Sequence, residues 1–64
     1  INDLNGAISE YTKAIELDSE YTPSYYNRAM ILGTQDDMEG ACKDWRKAEL
    51  LGDKDAEEFV REDC

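Results

Sequence analysis

The chain has 64 residues, enough for one small domain with a thin core, because a chain of this length buries only about 60% of the surface that it exposes when unfolded. It carries 16 acidic side chains against 7 basic ones, a formal net charge of −9. That balance disfavours nucleic acid and anionic membranes as partners, since both require a basic face. No apolar run approaches the ~20 residues of a membrane-spanning helix. The acidity indicates either helix faces that are exposed to solvent or, alternatively, a surface that binds a basic partner.

The first predicted helix covers residues 3–17. Asp3 stands where an N-cap residue accepts hydrogen bonds from the free amides of the first turn. Apolar side chains then recur at steps of three and four residues, which places them on one face of an α-helix. These are Leu4, Ala7, Ile8, Tyr11, Ala14 and Ile15.

The second predicted helix starts with Thr22, which can cap it, and Pro23, which suits the first helical position because an N–H there has no helical partner. Gly33 weakens its end, and a turn follows at residues 35–37. Two neighbouring faces of this helix are defined, one by Tyr25, Ala29 and Leu32 and the other by Tyr26, Met30 and Thr34.

The third predicted helix has Asp37 as its cap and Gly52 as its C-terminal stop signal. It repeats the apolar stripe of the first helix with Met38, Ala41, Cys42, Trp45, Ala48 and Leu51.

A last predicted helix covers residues 54–64. It is dense in charge and has a narrow apolar stripe of Ala56, Phe59 and Val60.

The first and third helices are related by an offset of 34 residues. Six positions are identical between residues 1–30 and 35–64, where composition alone gives about two. A fixed period of this length is typical of helical repeats. The identical pairs are Asp3/Asp37, Gly6/Gly40, Ala7/Ala41, Lys13/Lys47, Ala14/Ala48 and Leu17/Leu51.

The residues of this period resemble the tetratricopeptide repeat, a 34-residue helix–turn–helix unit. Tyr25 stands where that family often has Trp, and Ala29 occupies the small site where the two helices of a unit touch. In the second helix, Ala41, Trp45 and Ala48 match the family's small–aromatic–small pattern. The stretch 40–45 followed by a terminal cysteine further resembles the final unit of bacterial repeat proteins.

The resemblance implies an all-α fold of antiparallel helix–turn–helix repeats, an α-solenoid fragment of about four helices in one domain, residues 1–64. Residues 3–17 would be the second helix of a partial repeat, 22–52 one full repeat, and 54–64 a C-terminal capping helix whose outer face meets water. Four positions depart from the family. Arg28 replaces a usual Leu, and Asp36 replaces the Gly of the turn, where we expect backbone strain. Ser19 and Asp53 replace the closing Pro.

The resemblance also implies the function, a protein–protein interaction scaffold that binds a peptide or helix of a partner through its concave face. Asn27 matches the asparagine of repeats that clamp a C-terminal carboxylate, but only Arg28 is near, so we predict no clamp. An alternative is that Tyr26 and Met30 only pack against a neighbouring repeat. The predicted partner-binding residues are Tyr26, Asn27, Met30 and Thr34.

A second hypothesis is self-assembly as a dimer or a domain-swapped form. The chain opens with Ile1 rather than Met and begins on the second helix of a unit, so we expect an excised piece of a longer soluble protein, cytoplasmic or periplasmic. Its first helix would then have an open apolar edge, covered either by a second copy or by the remaining repeats of the parent. That edge consists of Leu4, Ile8, Tyr11 and Ile15.

The sequence offers no set of residues for catalysis. It contains no His, and nothing pairs a nucleophile with a base, so we predict that the chain is not an enzyme and needs no cofactor. Asp36, Asp37 and Glu39 are close together but lack the ligand spacing of a calcium loop. We interpret them as helix caps and predict no metal site.

The two cysteines can form a disulfide. Cys42 lies ten residues before Gly52 and Cys64 lies eleven after Asp53, so an antiparallel helix pair brings both to the same level, roughly 15 Å from the turn. Such a bond requires an oxidising compartment, because the cytosol keeps thiols reduced. In the alternative, Cys42 is a small buried hydrophobic residue and Cys64 is a free thiol.

Overall fold

The computed structural model describes residues 3–64, and within them it contains four α-helices and no β-strand. The helices are α1 (Leu4–Leu17), α2 (Thr22–Thr34), α3 (Met38–Leu50) and α4 (Lys54–Asp63). Each helix packs on the next one along the chain, and the most extensive contact is between α2 and α3. The predicted all-α class, built from successive helix–turn–helix pairs, is confirmed.

Aspartate side chains cap three of the four helices. Asp3 Oδ1 accepts from the backbone N–H of Gly6 at 2.9 Å, and Asp37 Oδ1 accepts from that of Gly40 at 3.0 Å. Asp53 caps α4 in the same way. A side chain on either glycine would collide with the capping carboxylate. The two identical Asp–Gly pairs of the repeat are therefore one cap motif used twice.

The start of α2 differs from the prediction. Thr22 is already helical, and Tyr21 is the N-cap residue, without a side-chain cap bond. The helix gains this residue because the carbonyl of Tyr21 accepts from the N–H of Ser24 at 3.3 Å. The strain expected at Asp36 is present: its φ of +63° lies in the left-handed region, where residues with a side chain are disfavoured.

Small side chains around two aromatic rings form the core between α2, α3 and α4. Because alanines dominate it, the helix backbones approach closely, and the rings fill the remaining space. No residue of α1 is buried, although Ile15 packs against the core from outside. The buried apolar residues are Tyr25, Ala29, Ala41, Cys42, Trp45, Ala48 and Ala56.

Candidate partner-binding groove

An open groove lies between α2 and α4 and consists of two adjoining cavities. They share Phe59 and Asp63, so they form one continuous depression, here called the α2–α4 groove. The first cavity, of about 170 Å³, is lined by Tyr26, Asp55, Glu58, Phe59, Glu62 and Asp63. The second, of about 310 Å³, is lined by Met30, Gly33, Thr34, Met38, Trp45, Phe59 and Asp63.

Three of the four side chains predicted to bind a partner line this groove. Met30 is 43% exposed and Thr34 is exposed, whereas Tyr26 is half-buried. The hydroxyl of Thr34 donates to the carbonyl oxygen of Met30 at 3.0 Å. Asn27 is also half-buried but lines neither cavity. The α2 wall of the groove therefore presents a flexible thioether and a phenol to an incoming ligand.

Phe59 of α4 forms the aromatic floor of the groove. Its ring stacks on that of Trp45, with centroids 4.6 Å apart and planes at 7°, and meets the ring of Tyr26 edge-on at 5.7 Å. Trp45 is only 4% exposed, so it gives Phe59 a fixed support. The indole N–H of Trp45 finds no acceptor among residues 3–64, a cost that the stacking and burial of the ring offset.

The α4 wall of the groove is acidic. Residues 3–64 contain two ion pairs, Arg28–Asp44 and Arg61–Glu57, and neither involves a carboxylate that lines the groove. Burial raises the pKa of the Tyr26 phenol, and the charges of neighbouring carboxylates raise it further. The lining contains acidic side chains and no Lys or Arg, so the groove is negatively charged. The carboxylates acting on the pKa of Tyr26 are Asp55, Asp53 and Glu58.

A disulfide between Cys42 and Cys64 fastens the end of α4 to α3. The two Cα atoms are 5.8 Å apart, and Cys42 is 7% exposed. The two cysteines that the helical rise placed at one level are thus joined. Because Phe59 and Asp63 precede this bond closely in the chain, the disulfide also restrains the α4 wall of the groove.

The predicted open edge of α1 is partly covered. All four of its residues are half-buried, and Ile8 lines a shallow cleft with Leu32 and Arg28. The strongly exposed large apolar side chains lie elsewhere, and two of the five belong to the α2–α4 groove. The five are Leu17, Tyr21, Met30, Met38 and Leu50. The four edge residues are Leu4, Ile8, Tyr11 and Ile15.

The acidic wall of the groove differs from the prediction that the last helix is a capping helix whose charged outer face only meets water. A signal for it exists. Asp55, Glu58 and Glu62 are spaced by three and four residues, which places them on one side of α4, and Phe59 follows Glu58 directly. An aromatic residue beside a row of carboxylates on one helix face indicates a mixed apolar and acidic surface.

Comparisons of this chain with protein-family models, with curated proteins and with solved structures gave no match. The resemblance to a helical repeat family therefore rests on the residues and their period. Over residues 3–64, no group of three or more His, Cys, Asp or Glu side chains is arranged to hold a metal ion. None of the helices described is long and apolar enough to cross a membrane.

Proposed function

We propose that this chain is a repeat-type scaffold module, related to the tetratricopeptide repeats, that binds a peptide or helix of a partner protein in the α2–α4 groove. The observation that supports it most is the position of Met30. This side chain is 43% exposed, in an open cavity whose floor is the fixed ring of Phe59. A thioether beside aromatic rings adapts its shape to apolar ligand groups.

Rigidity of the groove supports the same proposal. Phe59 is held by its stacking on Trp45, and the end of α4 is held by the disulfide at Cys42. A wall that is already ordered loses little conformational entropy when a ligand binds. The groove therefore combines a preformed floor with two adaptable, exposed thioethers, Met30 and Met38, which suits recognition of short apolar segments.

The proposed role is binding without catalysis. The sequence has no His, and both cysteines are joined in the disulfide, so no thiolate is free to act as a nucleophile. The carboxylates of the groove lie at its open rim on α4. We assign them to ligand recognition and assign no cofactor.

A selection experiment tests the proposal. A random peptide library displayed on phage is panned on the immobilised chain. The affinity of the enriched peptides is then measured for the Met30→Gln variant and for the matched control, Leu50→Gln. Leu50 is 81% exposed and lines no cavity described above, so both variants exchange an exposed apolar side chain for a neutral polar one. We expect Met30→Gln to weaken binding roughly fivefold or more and Leu50→Gln to change it little. Equal affinities for both variants would refute the α2–α4 groove as the binding site.

Self-association through α1 is a second candidate. The observation that favours it is that α1 is the only one of the four helices without a buried residue. A second copy, or further repeats of a longer protein, would cover Leu4 and Tyr11. Light scattering at two well-separated concentrations tests this. Self-association is supported if the mass doubles with concentration and Tyr11→Arg returns it to the monomer value. A monomer at both concentrations would refute self-association.

A further inference from the structure

We propose that the segment bound in the α2–α4 groove is basic as well as apolar, with Lys or Arg beside an apolar side chain. This inference rests on the proposed function and adds the chemistry of the partner. The apolar part of the groove takes the apolar side chain. The row of carboxylates on α4 takes the cations.

The arrangement of charge on α4 is the first observation behind this choice. The groove side of the helix carries Asp55, Glu58 and Glu62, with Asp63 at its end. The helix carries two cations, Lys54 and Arg61, and neither lines the groove. Arg61 is paired with Glu57, which also lies outside the lining. No Lys or Arg lines either cavity, so no side chain of the lining offsets these carboxylates.

The proximity of charge and apolar surface is the second observation. Phe59 and Asp63 line both cavities, so a ligand side chain that packs on Phe59 lies beside a carboxylate of the groove. Lys and Arg have long apolar stems and a charged head, and they lie well along such a boundary. On the α2 side of the groove, burial raises the pKa of Tyr26, and the charges of Asp55 and Glu58 raise it further.

The charge balance of the chain argues against the competing occupants. A second copy of this chain carries a net charge of −9 and would be repelled by the acidic wall. An acidic peptide would meet the same repulsion. A basic segment gains attraction at the rim and burial at the floor, so it is the occupant whose chemistry matches both parts of the groove.

The library selection is extended to test this. Peptides enriched on the chain are first sorted by their loss of binding to Met30→Gln relative to Leu50→Gln, which identifies those that use the groove. Their Lys and Arg content is then compared with that of the unselected library. The affinity of each peptide is also measured for the double variant Glu58→Gln/Glu62→Gln. The control is Glu10→Gln/Glu16→Gln, which removes the same charge from exposed positions on α1.

We expect groove-dependent peptides to be enriched in Lys or Arg next to apolar residues. Their affinity should fall roughly five- to tenfold with Glu58→Gln/Glu62→Gln, less at high salt, and change under about twofold with the α1 control. Groove-dependent peptides without basic enrichment, or with equal losses for the two charge variants, would overturn this inference and leave the proposed function intact. If no peptide depends on Met30, the proposed function and this inference fail together.

Discussion

Arg28 of α2 holds Asp44 of α3 by two hydrogen bonds, from Nε at 2.6 Å and from Nη2 at 2.7 Å. Its third nitrogen donates to the hydroxyl of Thr12 on α1 at 3.1 Å, so one side chain connects three helices. The hydrogen bond to Asp44 is the largest cause of the raised pKa of Arg28, which stays charged. The arginine that departs from the family pattern is therefore the partner of a buried acid.

Removing Arg28 should destabilise the fold strongly. Asp44 is 4% exposed, and Arg28→Leu would leave its charge buried without a partner, so we expect the free energy of unfolding to fall by roughly 3 kcal/mol. Urea unfolding followed by circular dichroism measures this. In Arg28→Leu/Asp44→Leu, we expect most of the loss to be recovered, because the buried charge is gone.

Arg61→Leu is the matched control for this prediction. Its pair with Glu57 is 4.0 Å long, and both side chains are more than half exposed. We expect a change within about 0.5 kcal/mol. Equal effects of Arg28→Leu and Arg61→Leu would contradict the role given to the buried pair.

Breaking the disulfide should loosen α4 before the other helices. The bond closes a loop with a sequence separation of 22, and its loss should lower the free energy of unfolding by about 3 kcal/mol. We expect Cys42→Ser/Cys64→Ser to lose amide hydrogen-exchange protection in α4 first, since that helix contacts only α3 extensively. Iodoacetamide labelling of both cysteines in the untreated chain would show that the bond is not formed. Equal loss of protection in α2 and α4 would contradict the local effect.

The pKa of Tyr26 depends on its burial and on the charge of the groove. Burial raises it above the ordinary value of about 10, and Asp55, Asp53 and Glu58 raise it further. The folded state therefore keeps the phenolic proton up to a higher pH than the unfolded state does. Relative to Tyr26→Phe, stability should be intact below about pH 10 and decline as the pH rises toward the folded-state pKa.

Removing a neighbouring carboxylate should lower this pKa. We expect the pKa of Tyr26 to move toward its ordinary value in Glu58→Gln and to stay in place in Glu10→Gln, a charge change on the exposed side of α1. Carbon NMR of the labelled tyrosine rings gives the titration directly. An unchanged pKa in Glu58→Gln would mean that Glu58 does not contribute to the potential at Tyr26.

Two glycines should respond to alanine in opposite directions. Gly52 has a φ of +103°, and nothing lies within 4 Å of a Cβ added there, so Gly52→Ala should lower the free energy of unfolding by roughly 1 kcal/mol through backbone strain alone. Gly33 is helical, and a methyl group there would make ordinary contacts with Met38 and Trp45. We expect Gly33→Ala to raise stability by about 0.5 kcal/mol in thermal or urea unfolding. Changes of the same sign in both variants would contradict this account.

Much of the fold follows from local patterns in the sequence. Asp3 and Asp37 begin their helices as predicted, and the small–aromatic–small pattern of α3 supplies Ala41, Trp45 and Ala48 to the core. Asp36 has the strained backbone expected of a residue in place of glycine. These features depend on residues within one helix or one turn, which is why a linear pattern reports them.

Contacts between residues that are distant in the sequence could not be predicted from local patterns. Arg28 and Asp44 are 16 positions apart, and only the packing of α2 on α3 turns two ordinary charged residues into a buried pair. The acidic wall of the groove likewise depends on which side of α4 faces α2, which its charge count does not reveal. The predicted first helical residue of α2, Pro23, lies one position after the observed one, because Thr22 and Pro23 fit two adjacent helix positions equally well.

The most direct test of the account is to map a groove-dependent peptide on the isotope-labelled chain by amide chemical shifts. We expect the largest shifts along both walls of the α2–α4 groove and small ones on α1. Shifts concentrated on α1, or spread evenly over the chain, would contradict the groove as the binding surface. The amides to compare are those of Met30, Thr34, Glu58, Phe59 and Glu62 in the groove with those of Leu4, Ile8, Tyr11 and Ile15 on α1.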